Sequence, residues 1–266
     1  MNVSINFSKL AELVNNSKRL IKEGYYDLGL CPVYKTSNTR NTISKAIKKA
    51  PCFPIIAELK FRSPNMCGEK ESTIENAKSQ LKTFVRAGIT GLSILTEPNY
   101  FQGSLHYLVE AATIFPGLPI LMKDFILDTI QIDVAKALGA STILLIAKIL
   151  SKDELMDLID YAHALDLEIL LEVNNREEME LALSTGAQVI GINNRDLTTF
   201  KIDLETTERL SLLFPDRDKP LISLSGISNK EIAYRMKVAG ADGILVGTAL
   251  TKASNPAFLI NELKGV

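Results

Sequence analysis

Residues 142–174 read TILLIAKILSKDELMDLIDYAHALDLEILLEVN and contain one complete unit of strand, helix and strand. The two ends, at 142–148 and 168–174, are short aliphatic runs, which predicts buried β-strands. Between them lies an apolar stripe at helical spacing, which predicts a crossover helix and therefore two parallel strands. The stripe consists of Leu155, Leu158, Ile159 and Ala162.

The same unit recurs along the chain, because eight apolar runs of this kind alternate with amphipathic segments. Their starting points are separated by 37, 28, 23, 26, 20, 32 and 22 residues, and each interval accommodates a strand, a loop and one helix. Glycine follows several of the predicted helices and marks their ends. The predicted strands are PIIAELK (54–60), GLSILTE (91–97), PILMKDF (119–125), TILLIAK (142–148), EILLEVN (168–174), QVIGINN (188–194), PLISLSG (220–226) and DGILVGT (242–248).

Eight strand and helix units with nearly continuous apolar strands predict an α/β fold, a (β/α)8 TIM barrel, over residues 51–266. A doubly wound open sheet is the alternative, but no glycine-rich dinucleotide motif follows the first predicted strand. Residues 1–50 carry two shorter apolar stripes at helical spacing. They predict an N-terminal helical extension that packs on one face of the barrel, and a plug of the barrel bottom is the simpler interpretation.

The composition excludes several classes of protein. Of the 266 residues, 30 are Lys or Arg and 31 are Asp or Glu, so the net charge of -1 gives no reason to expect a nucleic-acid or membrane partner. Cys31, Cys52 and Cys67 form no Cys-x-x-Cys pair, and we expect inert thiols in a reducing, cytoplasmic setting without a metal site. His106 and His163 are too far apart in sequence to suggest a metal centre or a histidine-based triad.

Charged residues at the ends of predicted strands are the candidates for chemistry, because the carboxyl ends of barrel strands converge on one mouth. Glu58 and Lys60 share one face of the first strand, and Lys123 and Glu172 interrupt the third and fifth apolar runs. Each alone could be a strand end that reaches water. Four together, two of each sign, predict a polar active site in which opposite charges tune proton affinities.

The last three strands add an amide, a guanidinium and an anion site. Asn193 and Arg195 end the sixth run, and arginine suits the bidentate binding of a carboxylate, although an ion pair of Arg195 with Asp196 or Asp203 is the alternative. SLSGIS and ADGILVGTAL follow or span the seventh and eighth runs. Ordinary tight turns would also use such residues, but strands 7 and 8 are where these barrels bind phosphate. The predicted phosphate-binding residues are Ser225, Gly226, Gly247 and Thr248.

These motifs closely resemble those of the indole-3-glycerol phosphate synthase family of tryptophan biosynthesis. The matching segments occur in the order and spacing of that family across residues 54–250, and the family also carries an N-terminal helical extension. The chain contains no tryptophan, which is a weak association with an enzyme of tryptophan biosynthesis. The motifs are IIAELKxRSP, SILTEPxYFxGS, PILMKDF, a following Gln-Ile run, LLEV, IGINNRDL and LVGTAL.

The resemblance implies a cofactor-free lyase that converts 1-(2-carboxyphenylamino)-1-deoxyribulose 5-phosphate to indole-3-glycerol phosphate. It implies that Lys123 is the general acid for ring closure, that Glu58 orients it, and that Glu172 is the general base. Lys60 would assist dehydration near the phosphate, and Asn193 would hold the substrate hydroxyls. The remaining residues that it assigns to substrate binding are Ser63, Pro64, Phe101, Phe125, Leu144, Arg195, Leu197 and Leu224.

Two departures from the family pattern stand out. Where the family has Glu-Ser-Gly-Ile after the seventh strand, this chain has Leu224-Ser225-Gly226-Ile227, so a carboxylate is replaced by an apolar side chain. The loop after the first strand reads SPNMCGE, whereas the family usually has Ser-Pro-Ser followed closely by Gly. We expect altered dynamics of that loop and an effect of Leu224 on activity.

Two other functions fit the same pattern. A phosphosugar isomerase of related fold would share the phosphate site, but the pair Lys60 and Lys123 argues against the acid and base of such an enzyme. A catalytically impaired or repurposed barrel would bind a phosphorylated metabolite without turnover, and Leu224 is the residue that favours this alternative. In every case we expect a monomer whose partner is a small phosphorylated molecule.

Overall fold

A computed structural model of the chain describes residues 7–27, 29, 41–62 and 72–266. Eight parallel strands form a closed barrel in which neighbours in sequence are neighbours in space and the last strand pairs with the first. The predicted (β/α)8 barrel is confirmed. The strands are β1 (Ile55–Leu59), β2 (Gly91–Leu95), β3 (Ile120–Lys123), β4 (Thr142–Ile146), β5 (Glu168–Val173), β6 (Val189–Asn193), β7 (Leu221–Leu224) and β8 (Gly243–Val246).

Helices surround the barrel and precede it. Every strand lies within its predicted run and is shorter than the run, because the final residues of each run leave the sheet to form the mouth. The helices are α1 (Phe7–Lys22), α2 (Ile43–Lys49), α3 (Ile74–Arg86), α4 (Pro98–Phe101), α5 (Leu105–Ile114), α6 (Thr129–Ala137), α7 (Lys152–Ala164), α8 (Arg176–Ser184), α9 (Glu205–Leu213), α10 (Lys230–Val238), α11 (Thr248–Lys252) and α12 (Pro256–Lys264).

Local sequence explains where the crossover helices begin and end. Asp128 and Ser151 form capping boxes at the N-termini of α6 and α7, so that side chains satisfy backbone N–H groups that the helix cannot. Gly139 and Gly240 follow α6 and α10 with φ of 88° and 95°, a left-handed conformation that favours glycine. The predicted glycine stops are therefore correct at these two helices.

The hydrophobic core has two layers, because alternate residues of each strand point to opposite faces of the sheet. One set packs against the helices, and the other fills the barrel interior. In β7, for example, Leu221 belongs to the outer layer, whereas Ile222 and Leu224 belong to the inner one. The same alternation places Ser223 on the outer face. The parity of a residue along its strand thus decides whether it can reach the interior.

The two N-terminal helices lie at opposite ends of the barrel. Ser17 in α1 donates a hydrogen bond to the carbonyl of Phe125 (2.7 Å), beyond the carboxyl end of β3. In contrast, the N–H of Ser44 in α2 donates to the carboxylate of Glu168 (3.1 Å), the first residue of β5. The expectation of a single docking face is therefore wrong, since α1 borders the mouth and α2 covers the bottom. The division of the chain at residue 50 stays a prediction.

Among the described residues, no helix combines the length and the apolar character that crossing a membrane requires. Cys52 is an exposed free thiol, whereas Cys31 and Cys67 lie outside the described residues.

Candidate active site

The polar groups predicted at the barrel mouth share one region. Two adjoining cavities open there, and the strand-end residues Lys60, Lys123, Glu172 and Asn193 line both of them. Each of these residues continues the inward parity of its strand, as Lys123 does after the inner-core residue Leu121. The structure therefore brings together the side chains that the sequence placed on four different strands.

Glu58 lies between the two lysines. Its Oε1 is 2.9 Å from Lys60 Nζ, and its Oε2 is 3.9 Å from Lys123 Nζ. Burial of this carboxylate acts to raise its pKa, but the positive charges of Lys60, Lys123 and Arg195 outweigh burial and hold the pKa of Glu58 below its ordinary value. Glu58 is therefore an anion that orients two cations, and it is unsuited to accept a proton near neutral pH.

Glu172 has a different environment. It is buried at the end of β5, and its Oε1 accepts a hydrogen bond from Asn193 Nδ2 at 2.7 Å. Its Oε2 has no hydrogen-bond partner among the described residues. Asn193 is in turn oriented because its Oδ1 accepts from the N–H of Arg195 (2.9 Å). Glu172 thus presents one fixed oxygen to the protein and keeps the other available for a ligand.

The first cavity, which we call the apolar compartment, is walled by aromatic and aliphatic side chains. Phe101 and Phe125 have ring centroids 6.1 Å apart, and Lys60 Nζ lies 6.0 Å from the Phe101 ring. Such a space suits a flat aromatic group next to a charged centre. Its apolar lining comprises Leu13, Leu95, Phe101, Phe125, Leu144, Ile146, Leu197 and Phe200.

The second cavity, which we call the glycine-rich compartment, lies beside β7 and β8. It is lined by all four residues predicted to bind phosphate, and also by Lys252 of α11, which sequence reasoning missed. Gly247 is required here for a specific reason, since a Cβ atom at this position would overlap the carboxylate of Glu58. The glycine that we predicted for close approach to an anion therefore first of all accommodates the protein's own carboxylate.

Arg195 turns towards the cavities and forms neither of the ion pairs considered above. Asp196 pairs with Lys148 at 3.2 Å, and Asp203 pairs with Arg209 at 2.8 Å. The Arg195 guanidinium donates to the carbonyl of Phe200 at 2.9 Å and lines both compartments. Its donors are thus positioned by the loop after β6.

Leu224 is part of the inner core and also lines the glycine-rich compartment. Only 2% of its surface is exposed. A Cβ atom on Gly191 would lie 2.9 Å from Leu224 Cδ1 and 2.6 Å from Leu170 Cδ2, so the missing side chain of Gly191 provides the space that both leucines fill. Leu224 is therefore well packed as an apolar residue.

Some site residues escaped sequence reasoning, and two predicted ones cannot be placed. Ser63 and Pro64 lie outside the described residues. Glu97 belongs to the motif SILTEPxYFxGS, but the sequence suggested no role for it. It is fully buried, and its carboxylate accepts hydrogen bonds from three backbone N–H groups of α4 and from Asn16 of α1. Leu13, also from α1, joins the wall of the apolar compartment. The contacts with α1 had no local signal in the sequence.

Asp124 is a second buried carboxylate that sequence reasoning missed, directly after Lys123. Its Oδ2 accepts hydrogen bonds from Thr96 Oγ1 (2.5 Å) and Tyr26 Oη (2.9 Å), and its Oδ1 accepts from the N–H of Phe125 (2.8 Å). Burial raises the pKa of Asp124 to about 6, although the three hydrogen bonds act against this increase. Asp124 thereby connects the ends of β2 and β3 to the segment after α1.

Comparison with known proteins gives one consistent family. A family model described as indole-3-glycerol phosphate synthase matches residues 10–263. The chain is 42% identical over 261 residues to the indole-3-glycerol phosphate synthase of Methanocaldococcus jannaschii, a match that covers 97% of this chain and 93% of that protein. It is 40% identical over 260 residues to the protein of the same name from Staphylococcus aureus, with 96% of each covered. Among solved structures, 3-hexulose-6-phosphate synthase from Salmonella typhimurium matches with a TM-score of 0.64 at 14% identity, over 79% of this chain and 96% of that one, which supports the fold alone.

The raised pKa of Asp124 predicts a pH dependence of stability. Between about pH 5 and about pH 7.5 the folded chain binds more protons at this carboxyl than the unfolded chain, so the free energy of unfolding should fall as the pH rises. Across this window the free energy of unfolding of the native chain should fall by on the order of 1 kcal/mol relative to that of Asp124→Asn. Urea unfolding at both pH values measures the difference. The control is Asp157→Asn, a substitution of an exposed aspartate. The prediction is contradicted if the free energy of unfolding of the native chain minus that of Asp124→Asn stays constant or increases from about pH 5 to about pH 7.5.

Proposed function

The chain belongs to the indole-3-glycerol phosphate synthase family, and on this basis we propose how its mouth residues divide the work of the reaction. The enzyme is a carboxy-lyase that converts 1-(2-carboxyphenylamino)-1-deoxyribulose 5-phosphate to indole-3-glycerol phosphate, CO2 and water. The observation that supports the assignment best is the sequence of environments along the two cavities, from apolar walls through charged groups to a glycine-rich end.

The substrate has the same three parts in the same order. Its aromatic ring would occupy the apolar compartment between Phe101, Phe125, Leu144 and Leu197, and its phosphate the glycine-rich compartment. The carbons that react lie between these two ends and would meet the lysines and glutamates. Arg195 faces both compartments and would bind the ring carboxylate before it leaves as CO2.

Lys123 acts as the general acid in ring closure. Its ammonium group protonates the substrate carbonyl oxygen while the ring carbon that bears the carboxylate attacks the carbonyl carbon, and CO2 leaves as the C–C bond to the carboxylate breaks. Glu58 holds this ammonium group in place from 3.9 Å. The negative charge of Glu58 also stabilises the positive charges of both lysines, which partial burial alone would disfavour.

Glu172 and Lys60 complete the loss of water. The free Oε2 of Glu172 accepts a proton from the newly closed five-membered ring, and Lys60 donates a proton to the departing hydroxyl, so that water leaves and the double bond that completes the indole forms. Asn193 holds Glu172 through its amide and contacts the substrate hydroxyls. Glu172 and Glu58 thus serve different purposes because Glu58 pairs with Lys60 and Lys123, whereas the hydrogen-bond partner of Glu172 is the amide of Asn193.

The partner is the small phosphorylated substrate. We propose that the enzyme works as a cytoplasmic monomer without a nucleic-acid or membrane partner. The formal charge of -1 supports the proposal that nucleic acids and membranes are not partners. The two compartments are lined by one chain, which supports the monomer. Ser63 and Pro64 would close the aromatic end of the site, as the family resemblance implies.

A direct assay tests the proposed function. The purified chain is incubated with the substrate, and indole formation is followed by absorption and fluorescence. The chain contains no tryptophan, so the protein contributes little background at indole wavelengths. Binding of the substrate without indole formation would instead support the repurposed barrel.

Lys123→Met should abolish most ring closure, since methionine keeps much of the volume of the lysine stem but cannot donate a proton. We expect kcat to fall by about 10²–10⁴-fold with little effect on folding. Lys78→Met is the matched control, because Lys78 pairs with Glu110 at 3.1 Å in the outer helix layer. Near-normal kcat in Lys123→Met would remove this lysine from the mechanism.

Glu172→Gln should slow the reaction far more than it weakens binding. The amide can keep the hydrogen bond with Asn193 but cannot accept the ring proton, so we expect kcat to fall by about 10²-fold or more and KM to change little. Glu168→Gln is the control, because Glu168 is a buried glutamate at the opposite end of the same strand. A large increase in KM with unchanged kcat would be inconsistent with the role of base.

Leu224→Glu should raise kcat and lower stability. The new carboxylate would lie in the compartment that contains Lys60 and Lys123, where it would stabilise positive charge that develops during condensation. Replacement of a leucine that is 2% exposed forfeits roughly 1.5–3 kcal/mol of apolar burial. Kinetics and thermal unfolding of both proteins measure the two effects.

Leu224→Gln separates charge from shape in this test, because it is polar and of the same length but carries no charge. A working synthase should gain rate with Glu and not with Gln. A barrel adapted to bind a ligand through Leu224 should lose affinity in both variants and gain no chemistry. An unchanged or lower rate in Leu224→Glu would show that the missing carboxylate is compensated elsewhere.

A further inference from the structure

The backbone at the carboxyl end of β7 takes an unusual conformation. Ser225 and Gly226 are consecutive residues with φ of 67° and 85°. Glycine tolerates this left-handed region, but for serine it is disfavoured and has to be maintained by surrounding contacts. Both residues line the glycine-rich compartment, so whatever maintains this conformation also shapes that compartment.

Asn194 supplies such a contact from behind the barrel wall. Only 1% of its surface is exposed, and its side chain faces α9 and α10, whereas its neighbour Asn193 faces the cavities. Asn194 Nδ2 donates a hydrogen bond to the carbonyl oxygen of Ser225 at 3.0 Å, and the same nitrogen lies 3.0 Å from Ser223 Oγ. The backbone N–H of Asn194 also donates to Leu224 O at 2.9 Å.

Thr207 of α9 fixes which way the Asn194 amide points. Its backbone N–H and its hydroxyl donate to Asn194 Oδ1 at 3.2 and 2.8 Å. Because the amide oxygen is held by these two donors, the NH2 group has to face Ser223 and Ser225. If the amide were turned over, with its oxygen and nitrogen exchanged, its NH2 group would face the two Thr207 donors and could not accept their hydrogen bonds. The two donors therefore determine the orientation of the Asn194 amide.

The carbonyl of Ser225 and the N–H of Gly226 belong to one peptide group, and in a trans peptide they point in opposite directions. Asn194 holds the carbonyl towards the buried side, so the Gly226 N–H is directed away from it, to the side of the compartment. Among the described residues, nothing accepts a hydrogen bond from this N–H. A donor that lines a cavity without a protein acceptor is suited to an anionic oxygen.

We propose that Asn194 is a positioning residue for the substrate phosphate. It turns the peptide between Ser225 and Gly226 so that the Gly226 N–H is presented to a phosphate oxygen, and it maintains the left-handed Ser225 that this requires. Asn194 does not touch the phosphate itself. The proposal rests on the placement of the phosphate in the glycine-rich compartment.

The test compares the kcat/KM values of two substrates in the native chain and in the Asn194→Ala variant. One is the phosphorylated substrate, and the other is 1-(2-carboxyphenylamino)-1-deoxyribulose, which lacks the phosphate. In Asn194→Ala, kcat/KM should fall about 5- to 10-fold for the phosphorylated substrate, which corresponds to one weakened hydrogen bond, and the loss should lie in KM. The value for the phosphate-free substrate should stay unchanged. The inhibition constant of inorganic phosphate should rise by the same factor.

Two further variants control for damage to the fold. Ser211→Ala removes a buried hydroxyl of α9 that donates to the carbonyls of Thr207 and Ala239 and makes no hydrogen bond to Asn194 or Ser225, so it should lower stability without changing the preference for phosphate. Asn194→Asp keeps the shape of the side chain while replacing the donor to Ser225 with an oxygen. It should lower the preference for phosphate at least as much as Asn194→Ala, and it serves as the test if the alanine variant does not fold.

The outcomes are distinguishable. If inorganic phosphate does not compete with the substrate in the native chain, the placement of the phosphate is wrong. If it competes, but the Asn194 variants keep the native ratio of the two kcat/KM values, the role of Asn194 is overturned. Equal losses for both substrates would also overturn it, because they would assign Asn194 to the fold alone.

Discussion

Closure of eight parallel strands leaves one narrow interior, and only every second residue of a strand can point into it. Below the mouth this interior is filled by aliphatic side chains such as Ile56, Leu170 and Ile222. Towards the carboxyl ends of the strands, the same rows continue with Glu58 after Ile56 and with Glu172 after Leu170. The charged site is therefore a continuation of the hydrophobic core, and a single shift in strand register would remove its groups from the mouth.

Within that interior the charges stabilise one another. Glu58 is almost fully buried, a position that would cost a lone carboxylate a large desolvation penalty, and the two lysines compensate for it. Glu172 is buried as well, but an amide rather than a cation is its partner. In the proposed mechanism this difference between the partners, rather than a difference between the two carboxylates, is the reason that Glu58 orients the cations and Glu172 accepts a proton.

A second layer of buried polar groups holds the strand ends that carry the site. Glu97 connects α4 to α1, Asp124 connects the ends of β2 and β3 to the segment after α1, and Asn194 connects β6, β7 and α9. Each makes several hydrogen bonds, at least one of them to a partner distant in sequence, and a network of that kind fixes one arrangement because an unpaired buried group is costly. The aromatic walls and the glycine-rich backbone are thus positioned by buried polar residues, of which Glu97 and Asp124 also border the apolar compartment.

The sequence by itself determined the eight strands, their parallel order and the inward row to which Glu58, Lys60, Lys123 and Glu172 belong. These properties follow from spacing and alternation within short segments, and local physics alone decides them. Only the tertiary structure decided that Glu58 lies between both lysines, that Arg195 avoids Asp196 and Asp203, and that α1 and α2 lie at opposite ends of the barrel. The same holds for Asp124 and Asn194, whose neighbours in sequence give no indication of their partners. Such contacts depend on how distant segments meet after the barrel closes, and the periodicity of a single segment contains no information about that meeting.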